Sequence, residues 1–200
     1  MDHNGTAGQP SAADQGSILD RIGLRSATPT PPARSGQPGT VTPPPTAAPA
    51  PAPEGPAGVD QRIADLRLLL EQGLAEGVGV GHSLGIDLVT LDIGRSVWTF
   101  RPSPAAANAM LTVHGGVIAT LMDTAMGSAV YTRLPADTYY TTLELKVNFV
   151  RPVSLTADLV TCEAKAVHVG RRTATAEASV VNTDGKLIAH GSCTCLVTAA

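Results

Sequence analysis

The apolar positions of this chain follow three rhythms along its length, and each predicts a different kind of structure. Residues 1 to 58 have almost no large apolar side chains. In DQRIADLRLLLEQGLAEG, Ile63, Leu66, Leu69, Leu70 and Leu74 recur at helical spacing and Gly77 ends the run, which predicts a helix. HSLGIDLVTLDIGRSVWTFRP alternates loosely on either side of Gly94-Arg95, as two strands of a hairpin would. LTVHGGVIATLMDTAMGSAV, residues 111 to 130, is apolar nearly all round and predicts a buried helix from about Gly115 to Thr132, ended before Pro135. TTLELKVNFVRP then alternates strictly, with Leu143, Leu145, Val147 and Phe149 on one face. Thr142, Glu144, Lys146 and Asn148 share the other face. LTADLVTCEAKAVHVG, RRTATAEASVVNTDG and KLIAHGSCTCLVT predict three more strands, with turns at Gly170-Arg171 and Asp184-Gly185.

The order is therefore helix, two strands, a long apolar helix, and four consecutive strands. An antiparallel meander must bury its apolar face, and the central helix is the element long enough to cover it. A curved sheet wrapped around one helix satisfies both, which is an α+β architecture for residues 59 to 200. The segment before it cannot offset its ordering entropy by burial. Twelve of the sixteen prolines lie there, in runs such as TPPPTAAPAPAPEGP, so residues 1 to 58 are expected to be a disordered Pro/Ala-rich tail with polyproline II stretches. Within it SILDRIGLR, residues 17 to 25, has the spacing of a short amphipathic turn, either transient or a docking motif.

Composition removes several classes of function. A net charge of −3 and 3 % aromatic residues offer neither the basic surface nor the stacking platforms of a nucleic-acid binder. Cys162, Cys193 and Cys195 do not have the spacing of a zinc site or a disulfide framework and are expected to be buried reduced thiols, the last two on one face of a strand. His82, His168 and His190 lack metal-ligand spacing, and neither a metal nor a cofactor is expected. There is no apolar run long enough for a membrane span, and MDHNGTAGQPSAADQ lacks the regions of a secretory signal. The expected location is the cytoplasm.

The candidate chemistry lies on the long helix. The first turn of a helix has N–H groups without intrahelical partners and the positive end of the dipole. Gly115 and Gly116 there would let a ligand oxygen approach the backbone, as an oxyanion-stabilising corner; close packing of the helix start explains them equally well. Asp123 is a carboxylate among apolar neighbours, on one i, i+4 row with Gly115, Ala119 and Gly127, an environment that suits a general base. Eight residues at about 1.5 Å each separate Gly115 from Asp123 by roughly 12 Å along the axis, while reacting groups must converge to about 3–3.5 Å. If both act on one carbonyl, two antiparallel copies of the helix have to supply them.

NAMLTVHGGVIATLMDTAMG, followed by TTLELKVNFVRPV and VGRRTATAEASVVNTDGKLIAHG, resembles the hot-dog-fold acyl-CoA thioesterases over about residues 60 to 198. The branch it is most similar to contains the phenylacetate-degradation thioesterases and one class of 4-hydroxybenzoyl-CoA thioesterases. The resemblance implies hydrolysis of an acyl-CoA to free acid and coenzyme A by a homodimer or homotetramer with sites between subunits. It implies Asp123 as nucleophile or as base for water, and the Gly115 N–H, preceded by His114, as the group polarising the carbonyl. Asn108 would position water or substrate, and Thr142 would hold the water near the acid. Gly170, Arg171 and Arg172, at the turn between the fourth and fifth strands, would meet the coenzyme A moiety. The chain departs from the family at Leu111, where a glycine is usual. Two other functions are compatible with the residues: acyl-thioester dehydration or hydration with His114 as base, and non-catalytic acyl-CoA binding.

Overall fold

The structure, a computed structural model, describes residues 58–199. The expected tail, with SILDRIGLR, lies outside the described residues apart from Gly58. Helix α1 (Val59–Glu76) forms over the predicted leucine repeat. Its apolar stripe is only partly covered: Ile63, Leu66 and Leu70 are half-buried, while Leu69, expected to share that stripe, is exposed. Arg62 anchors this helix from its side. Its guanidinium donates to the carbonyls of Leu134 at 3.2 Å and Thr138 at 2.6 Å and lies 4.4 Å from the centroid of the Tyr131 ring.

The predicted hairpin begins later than its alternation indicated. Residues Val80–Leu84 form a single helical turn, α2, because Gly85 takes a left-handed φ of 70° and its N–H returns to the Gly81 carbonyl. Strands β1 (Ile86–Asp92) and β2 (Arg95–Phe100) follow, then a short 3-10 turn at Pro104–Ala106 and the long helix α3 (Gly115–Tyr131). The chain ends in β3 (Thr138–Phe149), β4 (Val160–Val169), β5 (Thr173–Asn182) and β6 (Leu187–Ala199). The six strands make one antiparallel sheet in the order β1-β2-β4-β5-β6-β3. The last four strands are thus not one meander. Because β2 pairs directly with β4, β3 is carried to the opposite edge and pairs with β6 instead.

The core is the space between this sheet and α3. Leu121, Met122, Ala125, Met126, Ala129 and Val130 of the helix are fully buried. The facing side of β5 is Ala174, Ala176, Ala178 and Val180, all buried, while Thr175, Glu177 and Ser179 alternate to the other side. Small side chains on the middle strands let a thick, Met- and Leu-bearing helix lie close to the sheet. Two buried hydroxyls fix the helix in place. Ser96 Oγ donates to the Ala125 carbonyl at 2.6 Å, and Thr132 Oγ1 donates to Ala129 O while accepting the N–H of Gly94 in the β1–β2 turn, both at 2.8 Å.

Strand β3 departs from strict alternation, and the departure matters for the site. The register with β6 runs Thr142↔Cys195 and then Glu144↔Thr194, so Leu143 is an extra, bulged residue. Before the bulge Tyr140 and Thr142 are half-buried; after it Leu145 and Val147 are. Leu143, expected on the apolar face, is 61 % exposed, and Thr142, expected on the polar face, turns toward α3. Phe149 is also largely exposed, at the far end of the same strand.

Candidate active site

Strand β3 runs back along α3, and the helix's row of small residues is where it rests. Tyr140 lies on Gly127 so closely that a Cβ there would overlap its hydroxyl. One turn earlier, Thr142 Oγ1 donates to Asp123 Oδ1 at 2.9 Å. At the helix start, a Cβ on Gly115 would come within 3.1 Å of Phe149 Cζ. The row Gly115, Ala119, Asp123 and Gly127 therefore has a structural use: it admits an edge strand. Asp123 stands in it as a half-buried carboxylate, held from one side by the hydroxyl that the bulge turned inward.

The N-terminus of α3 is built around His114. Its backbone is extended, at φ −63° and ψ 133°, and its Nδ1 accepts the Gly116 N–H at 2.8 Å. A Cβ on Gly116 would sit 3.0 Å from that nitrogen, which accounts for the second glycine. The His114 carbonyl takes the N–H groups of Val117 and Ile118. Gly115 is left as the first helical residue, with an N–H that finds no acceptor among the described residues.

Leu111, three residues before His114, has a φ of 60°, in the left-handed region that favours glycine. The loop thus keeps a glycine-like bend without the glycine. Asn108 holds that bend. Its Oδ1 accepts the N–H groups of Met110 and Thr112, and its Nδ2 donates to Thr112 Oγ1. The side chain is thereby engaged within its own turn, but it also borders a cavity of about 290 Å³ that Gly115, Ile118, Phe149, Val153 and Ile188 line.

The remaining predicted residues lie elsewhere. Gly170 is in the β4–β5 turn, its N–H donating to Thr173 O at 2.9 Å, and Arg171 and Arg172 extend exposed beside it. Thr173, next to this turn, pairs with Leu196, which pairs in turn with Thr141. Within one chain the arginines are therefore at the end of the sheet nearer Thr142, and Gly115 and Asn108 are at the other. The structure brings together Asp123 with Thr142, and Gly115 with His114 and Asn108, but it does not join these two groups within one chain.

Three residues beside the candidate groups had no functional signal in the sequence. Tyr140 and Phe149 depend on the register of β3 against α3. Cys195 pairs across the sheet with Thr142, and its Sγ lies 3.8 Å from that of Cys193. All three cysteines are buried and free, as expected. The contact between the two thiols acts on them in opposite directions: it lowers Cys195 against its burial, while the same contact and burial push Cys193 up. The Tyr140 phenol is also pushed up, chiefly by burial and then by the Asp123 charge, and stays neutral.

A six-stranded antiparallel sheet folded about one long helix is the architecture of the hot-dog class of domains. The thioesterase superfamily matches residues 110–189. The acyl-coenzyme A thioesterase PaaI of Escherichia coli is 31 % identical over 115 residues, which span 57 % of this chain and 79 % of PaaI. A 1,4-dihydroxy-2-naphthoyl-CoA hydrolase of Listeria monocytogenes is 27 % identical over 120 residues, 60 % of this chain and 96 % of the relative. Among solved structures, a conserved protein of Pseudomonas aeruginosa superposes with a TM-score of 0.57 at 31 % identity, covering 62 % of this chain and 98 % of its own. The chain belongs to the thioesterase superfamily and has its hot-dog fold.

Proposed function

We propose that this protein hydrolyses an acyl-CoA thioester, with Asp123 as the carboxylate that drives the reaction and the Gly115 N–H of a second copy as the group that polarises the carbonyl. The observation that carries this reading is the 2.9 Å hydrogen bond from Thr142 to an aspartate placed in an otherwise apolar helix. Among the described residues its other oxygen takes no hydrogen bond, which in this reading leaves it for water or substrate. Acting as base, Asp123 takes a proton from water as the water oxygen bonds to the thioester carbon. The negative charge then developing on the carbonyl oxygen lies against the Gly115 N–H and the positive end of α3. Collapse of that intermediate breaks the carbon–sulfur bond, and the proton follows the departing coenzyme A thiolate, giving acid and thiol. Acting as nucleophile, the same carboxylate would form an anhydride that water then opens.

The other residues take supporting parts in this reading. Thr142 holds the carboxylate and its water. Asn108, by fixing the Leu111 bend, sets the direction from which the chain enters α3. The cavity beside Gly115 accommodates part of the substrate, and Gly170, Arg171 and Arg172 meet the phosphates of coenzyme A. A dehydratase or hydratase would need His114 to move protons, and its Nδ1 is committed to capping Gly116. Gly115 and Asp123 of one chain stand roughly 12 Å apart along the axis, so their action on one carbonyl needs a homo-oligomer. The edge strand β3, carrying exposed Leu143 and Phe149, is the surface suited to a second copy. The folded unit is taken as residues 59 to 200, with the preceding segment as a tail, and the cytoplasm as its location.

The test is Asp123→Asn, which keeps the Thr142 hydrogen bond and removes the charge. Free thiol released from aromatic, medium-chain and long-chain acyl-CoAs should fall by about 100-fold or more on every substrate the wild type accepts. A far-ultraviolet dichroism spectrum should be unchanged. Retention of turnover in this variant removes the mechanism.

A further inference from the structure

The face of the sheet turned away from α3 carries two charges that the fold does not use. Strand β6 lies between β5 and β3 on this face, and it presents Ser192 and His190 outward while Cys193 packs inward. Ser192 has Glu177 as its register partner on one side and Lys146 on the other. His190 stands in the same way between Ser179 and Asn148. These side chains wall a depression of about 570 Å³ over β6. The neighbouring charges on β4 are matched within the chain, Glu163 with Arg95 at 2.9 Å and with Lys165 at 3.5 Å. Lys146 and Glu177 are exposed, and among the described residues neither has an ion pair. They flank β6 from opposite sides, two strand spacings or about 10 Å apart.

We infer that this face is a second self-association surface, on which two copies pack sheet to sheet about a two-fold axis running along β6. Such an axis exchanges the two sides of the strand. Glu177 of each copy then lies over Lys146 of the other, and Ser179 over Asn148. The two charges without partners in one chain become two ion pairs between chains. An axis in the same plane but across the strands, through Ser192, would set Lys146 against Lys146 and Glu177 against Glu177, so the charge pattern selects the axis along β6. Facing sheets stand about 10 Å apart, a gap that a lysine and a glutamate bridge from opposite sides. The hollow over Ser192 stays between the copies and holds water, as polar interfaces do. Exposed ion pairs contribute more to orientation than to affinity, which makes this contact specific and sensitive to salt. The inference goes beyond the shared site proposed above, because the outer face is separate from the β3 edge and contains neither Asp123 nor Gly115. With both surfaces in use the assembly has four copies; with this one alone it has two.

The experiment measures the mass of the full-length protein by light scattering, in low salt and in about 1 M salt, where exposed charges are screened. It compares the wild type with Lys146→Glu, Glu177→Lys and the double variant that carries both. The wild type should have four copies in low salt and two in high salt. Either single reversal should have two copies already in low salt, because like charges then face each other. The double variant restores opposite charges and should regain the wild-type mass. A carbodiimide, which joins an amine to a carboxylate without a spacer, should link Lys146 to Glu177 between isotopically labelled and unlabelled wild-type copies mixed in high salt and returned to low salt. Thioester turnover per subunit in the single variants should stay within about twofold of wild type. A mass that no reversal changes, a monomeric wild type, or a cross-link confined to copies of one label overturns the second surface. A wild type of two copies that each reversal splits into monomers keeps this surface and contradicts pairing through the β3 edge. Should a reversal not fold, Lys146→Gln and Glu177→Gln remove the pairs without repulsion and should lower the mass in the same way.

Discussion

Thr142 reaches Asp123 through one extra residue in one strand. Were β3 regular, the hydroxyl would face solvent with Glu144 and Lys146, and the carboxylate would have no partner from that side. Thr142→Val keeps the branched shape and deletes the donor. It should lower kcat about tenfold with little change in KM, because it affects the orientation of the acid more than substrate binding. A rise in KM at constant kcat would assign Thr142 to binding instead. Leu111 is the other residue whose backbone carries information. At a φ of 60° a side chain is strained, and β-branching worsens the clash. Leu111→Gly should stay within about 1 kcal/mol of wild type in urea unfolding, relief of strain offsetting lost contacts and greater unfolded-state entropy. Leu111→Val should lose about 1–2 kcal/mol. Equal stability of the two variants would mean that the bend is not under strain.

Helix α3 and strand β3 form the element pair on which the site depends, and the contact between them explains what could be read from the sequence. The helix was legible because its oddities are local: two glycines after a histidine, and a carboxylate among Leu121, Met122, Ala125 and Met126. Gly115, His114 and Asp123 stand out for that reason alone. The face of β3 was not legible, since nothing in TTLELKVNF marks Leu143 as the residue to bulge; the pairing with β6 decides it. For the same reason the alternation put Phe149 with the core, although it packs at the rim over Gly115. The position of β3 at the far edge was also hidden, because strand order follows from which strands compete for β4, a property of the whole sheet. Gly127 tests the fit of the two elements. A methyl there would overlap the Tyr140 hydroxyl, so Gly127→Ala should destabilise by about 1–3 kcal/mol and reduce activity as β3 shifts away from Asp123. Wild-type stability in this variant would show that Tyr140 moves freely and that the strand is not seated on the helix as described.

At the scale of the molecule, one chain holds two half-sites: a donor corner with its cavity at one end of α3, and a held acid with exposed arginines toward the other end of the sheet. In the proposed mechanism neither half cleaves a thioester alone, and a long edge strand with exposed apolar side chains is the surface proposed to unite them. This arrangement can be tested by complementation. Gly115 is the first residue of α3, where proline is tolerated, and His114 already has the extended backbone that proline requires before it. Gly115→Pro therefore deletes the N–H while leaving the helix, with the exposed Phe149 ring giving way to the added ring, and Asp123→Asn deletes the charge. Each variant alone should be nearly inactive. Refolded together in equal amounts, they should regain about a quarter of the wild-type rate, since half of the pairs are mixed and each mixed pair has one intact site out of two. A mixture no more active than its two components, or a fully active Gly115→Pro, would contradict a site shared between subunits.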